Sequence, residues 1–220
     1  MWILQRIFLI YMRKNAKSKI LITIQQALTA ITFIIKQEVG KMRKKMEKGL
    51  IHVYYGYGKG KTTAALGLAL RAAGYGKRAV IVQFLKNAVS GEVLQLAKND
   101  NITVIRGQAS DSFVNSMSMG EISKTAEIHN KNLSNAISLV KEDRCDLLIL
   151  DEAMDAYQLN MVDRNMLKSF IENKPEALEL VITGHNPEGW MLDLADYVSE
   201  VVKKKHPYDC GVPARPGIEY

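Results

Sequence analysis

Gly56-Tyr57-Gly58-Lys59-Gly60-Lys61-Thr62-Thr63 is a run suited to holding phosphate. Its glycines let backbone N–H groups approach phosphate oxygens. Lys61 adds a full positive charge, and Thr62 offers a hydroxyl to a magnesium ion. The flanks give the run its meaning. An apolar stretch, Leu50–Tyr55, reads as a strand, and Ala64–Leu70 reads as the helix that follows. Strand, glycine loop and a helix opening on Lys-Thr is the context in which such a string cradles a polyphosphate. The usual spacing, G-x-x-x-x-G-K-[ST], places its first glycine at position 55, where this chain has Tyr55; the first glycine is Gly56. The loop is one residue short, which predicts a phosphate site of altered geometry.

Leu147-Leu148-Ile149-Leu150-Asp151-Glu152 is the second signal. Four apolar residues followed by an acid place a carboxylate at the end of a buried strand, within reach of a magnesium ion held at the phosphate loop. Two adjacent acids allow two roles: one touches the metal or its water, the other orients a neighbour. The histidines say less. His52 on the first strand and His129 on the apolar face of a helix read as packing residues, and His185 and His206 fall in loops. Lys203-Lys204-Lys205 reads as a solvated run, with anion steering as the other reading. In the segment from Gly107 to Gly120, Phe113, Met117 and Met119 either grip a flat apolar ligand or simply dock the loop.

The elements that position these groups are legible from about Leu50 onward. Strands are expected at Leu50–Tyr55, Ala79–Phe84, Ile102–Arg106, Asp146–Leu150, Leu178–Thr183 and Tyr197–Val202. Helices are expected from Lys61 to about Ala73, over Val93–Asn99, Glu121–Lys141, Asp163–Glu172 and Met191–Ala195. Between Gly107 and Gly120 no period is visible, and a mobile loop is expected. Apolar strands alternating with helices imply a parallel sheet covered on both faces, with ligands at the carboxyl ends of the strands. The phosphate loop, Gln83-Phe84, Asp151-Glu152 and Thr183-Gly184-His185 all fall at such ends. The expected class is α/β, a P-loop, RecA-like parallel sheet with helices on both faces.

Composition bounds the function. The 220 residues, 47% apolar, suit one globular domain. Cys145 and Cys210 form neither a metal-ligand spacing nor a disulfide framework, which fits a reduced, cytoplasmic compartment. The net charge of +7 is unevenly placed. Residues 1–48 hold 11 Lys/Arg against 2 Asp/Glu, leaving 19 against 21 for the rest. The globular part is near neutral, so charge does not imply nucleic-acid binding. Residues 1–45 read as an N-terminal extension and 46–220 as the domain. Within the extension, Ile20–Ile35 is an uncharged run of 16 residues. As a helix it would reach about 24 Å, short of the roughly 30 Å of a bilayer core. Three readings stay open: a helix packing on the domain or on a second subunit, a peripheral membrane helix, or upstream sequence ahead of a start at Met42 or Met46. The expectation is against membrane contact.

Several motifs in the right order resemble the ATP:corrinoid adenosyltransferases of the cobalamin pathway. They are the shortened loop Gly56–Thr63 with Ala64-Ala65, Val82-Gln83-Phe84-Leu85-Lys86 followed by Gly91-Glu92, and Leu150-Asp151-Glu152. To these add Ile182-Thr183-Gly184, Asp193–Glu200, and the tail Lys205-His206-Pro207-Tyr208 with Gly217-Ile218-Glu219-Tyr220. The resemblance covers about residues 46–220. It implies that a corrinoid cobalt, reduced to its nucleophilic +1 state, attacks the 5′ carbon of ATP. The adenosyl group passes to cobalt and triphosphate leaves. It further implies that Gly56, Tyr57, Gly58, Lys59, Gly60, Lys61, Thr62 and Thr63 bind the triphosphate, that Lys61 and Glu152 are catalytic, and that Thr62 and Glu152 hold Mg2+. An electron-donating reductase and a homodimer are the implied partners. No general base is needed, because cobalt has no proton to lose. Catalysis is then positioning and stabilisation of the leaving group.

The chain departs from the family pattern where the corrinoid is gripped. A tryptophan after the second strand is replaced within Lys86-Asn87-Ala88-Val89. A Phe-x-Trp is replaced by Phe113-Val114-Asn115, leaving Phe113 as the candidate corrinoid contact. The competing function is an ATP-hydrolysing switch or motor of RecA-like kind, which shares the loop and the acid pair. Against it stand the short chain and the short loop. If the shortened loop sets which N–H groups meet which phosphate, inserting one residue before Gly56 is expected to impair adenosyl transfer. Unchanged transfer by the insertion variant would count against that link.

Overall fold

The computed structural model describes residues 24–32, 46–86, 90–110 and 114–219. The chain divides into two compact units, Met1–Arg43 and Lys44–Tyr220. In the first, residues 24–32 form a helix, in which Ile24, Leu28 and Ile31 recur with helical spacing. The hydroxyls of Thr29 and Thr32 donate to the carbonyls of Gln25 and Leu28 at 2.8 and 2.7 Å, the back-bonding that seats threonine in a helix. The remainder of the apolar run at 20–35 lies outside the described residues. No described helix is long and apolar enough to cross a membrane.

Among its described residues the second unit carries six strands: β1 (Ile51–Tyr55), β2 (Ala79–Gln83), β3 (Ile102–Arg106), β4 (Leu147–Asp151), β5 (Glu179–Thr183) and β6 (Tyr197–Glu200). Its helices are α1 (Lys61–Gly74), α2 (Gly91–Leu96), α3 (Met119–Lys141), α4 (Ala153–Gln158), α5 (Arg164–Glu172) and α6 (Gly189–Leu194). All strand pairs are parallel, in the order β3-β2-β4-β5-β1-β6. One strand, β5, therefore separates the strand that feeds the glycine loop from the strand that ends in Asp151. This is the RecA-like arrangement of P-loop folds, as the sequence leads one to expect.

Side chains alternate across the sheet. Leu148 and Leu150 join Val80, Val82, Leu180 and Ile182 in a core with Leu133, Ala136 and Val140 of α3. Leu147 and Ile149 join Ala79, Ile81 and Val181 in a core with Ala65, Leu66, Ala69 and Ala73 of α1. Helices thus cover both faces, and β2 and β4 are buried along their whole length. β6 differs. It has a strand neighbour on one side only, and all four of its residues are exposed.

Helix ends follow local chemistry. Ser118 and Glu121 form a capping box at the start of α3. Asp163 caps α5 by accepting from the N–H groups of Asn165 and Met166, both at 2.9 Å. α1 ends where Tyr75 and Gly76 donate back to Ala72 and Ala73. The segment expected to be an irregular loop contains a 3-10 turn at Val114–Ser116 and a docked Met117, while Met119 stands in solvent. Phe113 lies outside the described residues, as do residues 87–89. α4 was not expected. It is six residues long, too short to show a period.

The central strand carries much of the fold. Leu148 is wholly buried, so Leu148→Ala is expected to lower the unfolding free energy by about 3 kcal/mol, measured by urea denaturation. A loss below about 1 kcal/mol would mean that the two cores are not organised around β4.

Candidate functional site

The glycine loop leaves β1 at Gly56 (φ 106°) and enters α1 through Gly60 (φ 120°). Both angles are in the region that favours glycine. A second constraint acts at Gly56 and Gly58. A Cβ at either would lie 2.7 Å from the Val201 carbonyl oxygen, because the loop is pressed against the chain that follows β6. Two loop N–H groups donate into the protein itself: Gly58 to the Val201 carbonyl at 2.7 Å and Gly56 to the His185 carbonyl at 3.0 Å. α1 then opens with no side-chain cap and no acid in its first turn.

The other loop residues point to distinct partners. The Tyr57 hydroxyl accepts from Asn186 at 2.8 Å, and its ring lies 5.1 Å from that of His185. His185 donates to Asp155 through its ring at 2.9 Å and through its N–H at 3.2 Å. Lys59 pairs with Glu219 at 2.9 Å, and Glu219 also accepts from Arg215. Arg215 foremost, and then Lys59, hold the Glu219 carboxyl down at about 2. Lys61 donates to the Gly58 carbonyl at 3.0 Å, folding over its own loop. Burial pulls its pKa below the ordinary lysine value, against the opposing carboxylates of Asp155, Glu152 and Asp151. Thr63 is exposed.

Beneath the loop sits Asp151, with no solvent exposure. Its Oδ1 accepts from Thr62 (2.9 Å) and Thr183 (2.7 Å), and its Oδ2 from Gln83 (3.1 Å) and Lys86 (2.7 Å). The Lys86 ammonium also reaches Thr62 Oγ1 at 2.9 Å and Glu152 Oε1 at 3.1 Å. Burial alone would lower the Lys86 pKa, but the two carboxylates outweigh it and raise it. Burial raises the Glu152 carboxyl above its ordinary value, with Lys86 opposing. Glu152 itself is left-handed (φ 59°), which turns the chain from β4 into α4. Its N–H donates to Thr183 Oγ1 at 2.9 Å. Gly184 packs against α4 so closely that a Cβ there would collide with Met154.

The residues expected to act together are thus brought together, with additions. Thr62 meets Asp151 directly, and Glu152 reaches the same point through Lys86. In the sequence, Gln83 and Thr183 stand at strand ends with nothing to link them to Asp151, and Lys86 carries no visible role. Their signal is a polar residue closing an apolar strand. His129 is a buried core histidine, as expected. Nδ1–H donates to the Met161 carbonyl at 3.0 Å, and Nε2 accepts from Leu85 N–H at 3.3 Å. His52 pairs with Glu179 and stacks on Tyr197. Among the described residues, no group of three His, Cys, Asp or Glu side chains is placed to hold a metal ion unaided.

The hub predicts its own cost. In Asp151→Asn the amide turns a donor toward Thr62 and Thr183 or toward Gln83 and Lys86, and Lys86 loses its strongest counter-charge. The expected loss is about 3–5 kcal/mol of unfolding free energy by urea denaturation. A variant within about 1 kcal/mol of the wild type would show that the four contacts do not hold the site.

Comparisons with known proteins show the family. The family model described as ATP:corrinoid adenosyltransferase BtuR/CobO/CobP matches residues 47–220. A corrinoid adenosyltransferase of a Sinorhizobium species is 30% identical over 179 residues, covering 80% of this chain and 83% of that one. The corrinoid adenosyltransferase CobA of Salmonella typhimurium strain LT2 is 31% identical over 183 residues, covering 79% and 87%. Among solved structures, a KaiC-like protein of Pyrococcus horikoshii OT3 matches with a TM-score of 0.46 and 17% identity, over 72% of this chain and 75% of that one. With ATP and a corrinoid as the family's substrates, this chain belongs to the ATP:corrinoid adenosyltransferases, transferases that adenosylate corrinoids from ATP.

Proposed function

We propose that Gly56–Thr63 binds the triphosphate of ATP as a leaving group, with Lys61 and Glu152 as the catalytic residues and Thr62 and Glu152 holding Mg2+. The observation that carries this reading is the meeting of Thr62, Asp151 and Glu152 oxygens around one cation, the Lys86 ammonium, beneath the loop. A hydroxyl and two carboxylates are the hard oxygen donors that magnesium takes, and the ammonium already marks a cation position among them. The buried Gln83 Oε1, which has no hydrogen-bond partner among the described residues, adds a further acceptor beside Asp151. Magnesium bound there would neutralise charge on the triphosphate.

The chain's own residues divide the rest. Gly56 and Gly58 have their N–H groups committed to His185 and Val201. This favours contact with phosphate through the later part of the loop and the uncapped start of α1. Lys61 releases the Gly58 carbonyl and follows the triphosphate as charge develops on it. Tyr57 and His185 flank the mouth of the loop. In the transfer the cobalt(I) electron pair forms the cobalt–carbon bond. The bond from C5′ to the triphosphate oxygen breaks, and its electron pair departs with the triphosphate. No proton moves, so the residues bind, orient and stabilise charge.

Cobalt must arrive reduced, so an electron-donating reductase is the expected partner. Phe113 is the proposed corrinoid contact. We take the working unit to be a homodimer. The exposed apolar residues Tyr197 and Val198 of β6 and Val202 just after it support this. A cytoplasmic site of action is supported by the two free cysteines, one of them buried.

The test is anaerobic incubation of the protein with ATP and chemically reduced cobalamin. Free triphosphate and a light-sensitive alkyl-cobalt spectrum are expected in equal amounts; ADP and phosphate would instead mean hydrolysis. Lys61→Met is expected to lower kcat/KM by about 100-fold. Glu152→Gln is expected to raise the magnesium concentration needed for half-maximal transfer. A Lys61→Met enzyme with wild-type kcat/KM would remove Lys61 from the mechanism.

A further inference from the structure

We propose that Lys86 is an internal cation that fills the metal position in the nucleotide-free protein and must leave it when ATP brings magnesium, so that metal entry is coupled to nucleotide entry. The inference rests on the metal reading above.

An ammonium has three N–H donors. Lys86 directs them to three different groups: Thr62 Oγ1 at 2.9 Å, Asp151 Oδ2 at 2.7 Å and Glu152 Oε1 at 3.1 Å. An ordinary surface pair satisfies one carboxylate. Here one cation draws in the hydroxyl of the phosphate loop and both acids of β4 and the turn that follows it. The Thr62 hydroxyl donates to Asp151 Oδ1 and so presents its lone pairs to Lys86.

Two cations cannot share this position. A magnesium ion touching the same oxygens at about 2.1 Å would overlap the ammonium, and like charges that close repel strongly in a buried site. The charge count points the same way. Two carboxylates against one ammonium leave a deficit of one positive charge, which a divalent ion removes. Free magnesium nonetheless faces two obstacles, since it dehydrates reluctantly and must displace three charge-assisted hydrogen bonds. A triphosphate in the loop adds the negative charge and the oxygen ligands that favour the exchange.

The local structure permits that exchange through the side chain alone. The backbone just before Lys86 is fixed, because Leu85 N–H donates to His129, which is buried and anchored on Met161. The Lys86 side chain is 27% exposed, and its flexible stem has a route to solvent. By linkage, whatever Lys86 subtracts from metal affinity in the free protein appears as cooperativity between metal and nucleotide.

The experiment titrates Mn2+, as a probe for magnesium, into nucleotide-free wild type and Lys86→Met by calorimetry, and repeats both with a non-hydrolysable ATP analogue. The variant is expected to bind Mn2+ without nucleotide at least about tenfold more tightly than wild type, with the metal–nucleotide coupling reduced by the same factor. Equal nucleotide-free affinity overturns the proposal. If Lys86→Met does not fold, a crystal structure of the wild type with the analogue and magnesium decides. The ammonium is expected beyond hydrogen-bonding distance of Asp151. A metal at Thr62 and Glu152 with Lys86 still on both acids overturns the placeholder role alone. A complex whose metal touches neither Thr62 nor Glu152 overturns the metal reading with it.

Discussion

A carboxylate cut off from water has to be compensated by its neighbours, and Asp151 draws its compensation from four places in the chain. Thr62 comes from α1, Gln83 from β2, Lys86 from the segment after β2, and Thr183 from β5. Strand register makes this possible. Gln83 lies directly opposite Asp151 across the β2–β4 pair. A slip of one residue would turn either side chain to the other face of the sheet. The sheet's alignment and the site's charge balance are therefore one constraint. The apolar residues of β4 fix where the acid stands, and the acid in turn fixes the start of α1, hence the floor of the loop.

Much of this was legible from residues close together in the chain. The strand–loop–helix around Gly56–Thr63 and the apolar run ending in Asp151-Glu152 are local patterns, and each carries its chemistry in adjacent residues. The parallel sheet followed from apolar strands alternating with helices. What could not be read were contacts between segments far apart. Nothing near Lys86 announces that its ammonium crosses to β4, and nothing near Thr183 says that its hydroxyl lies between Asp151 and the Glu152 N–H. α4 escaped notice because six residues after an acid pair show no period, although its buried Ala153, Met154, Ala156 and Tyr157 close the core behind the site. The exposure of β6 was hidden for a similar reason, since its composition resembles that of a strand with two neighbours.

The shortened glycine loop gains a physical meaning from its surroundings. Val201 approaches it closely enough to exclude a side chain at Gly56 and Gly58, and it takes one of the loop's N–H groups. A longer loop would have to bulge away from this wall. The stretch after β6 thus acts as a template for the loop, which ties the glycine loop to the C-terminal part of the chain. Glu219 does the same from outside through Lys59.

The left-handed backbone at Glu152 has a bearing on how such a sequence drifts. Glutamate pays a conformational penalty there that glycine or asparagine would largely escape. Fold stability and the carboxylate therefore pull this position in opposite directions. The carboxylate is used by the ion pair to Lys86, 3.1 Å away, and not by the turn it sits in. A glycine at 152 would relax the turn and at the same time leave the Lys86 ammonium with two oxygen partners in place of three, so backbone ease and charge balance cannot both be optimised at this position.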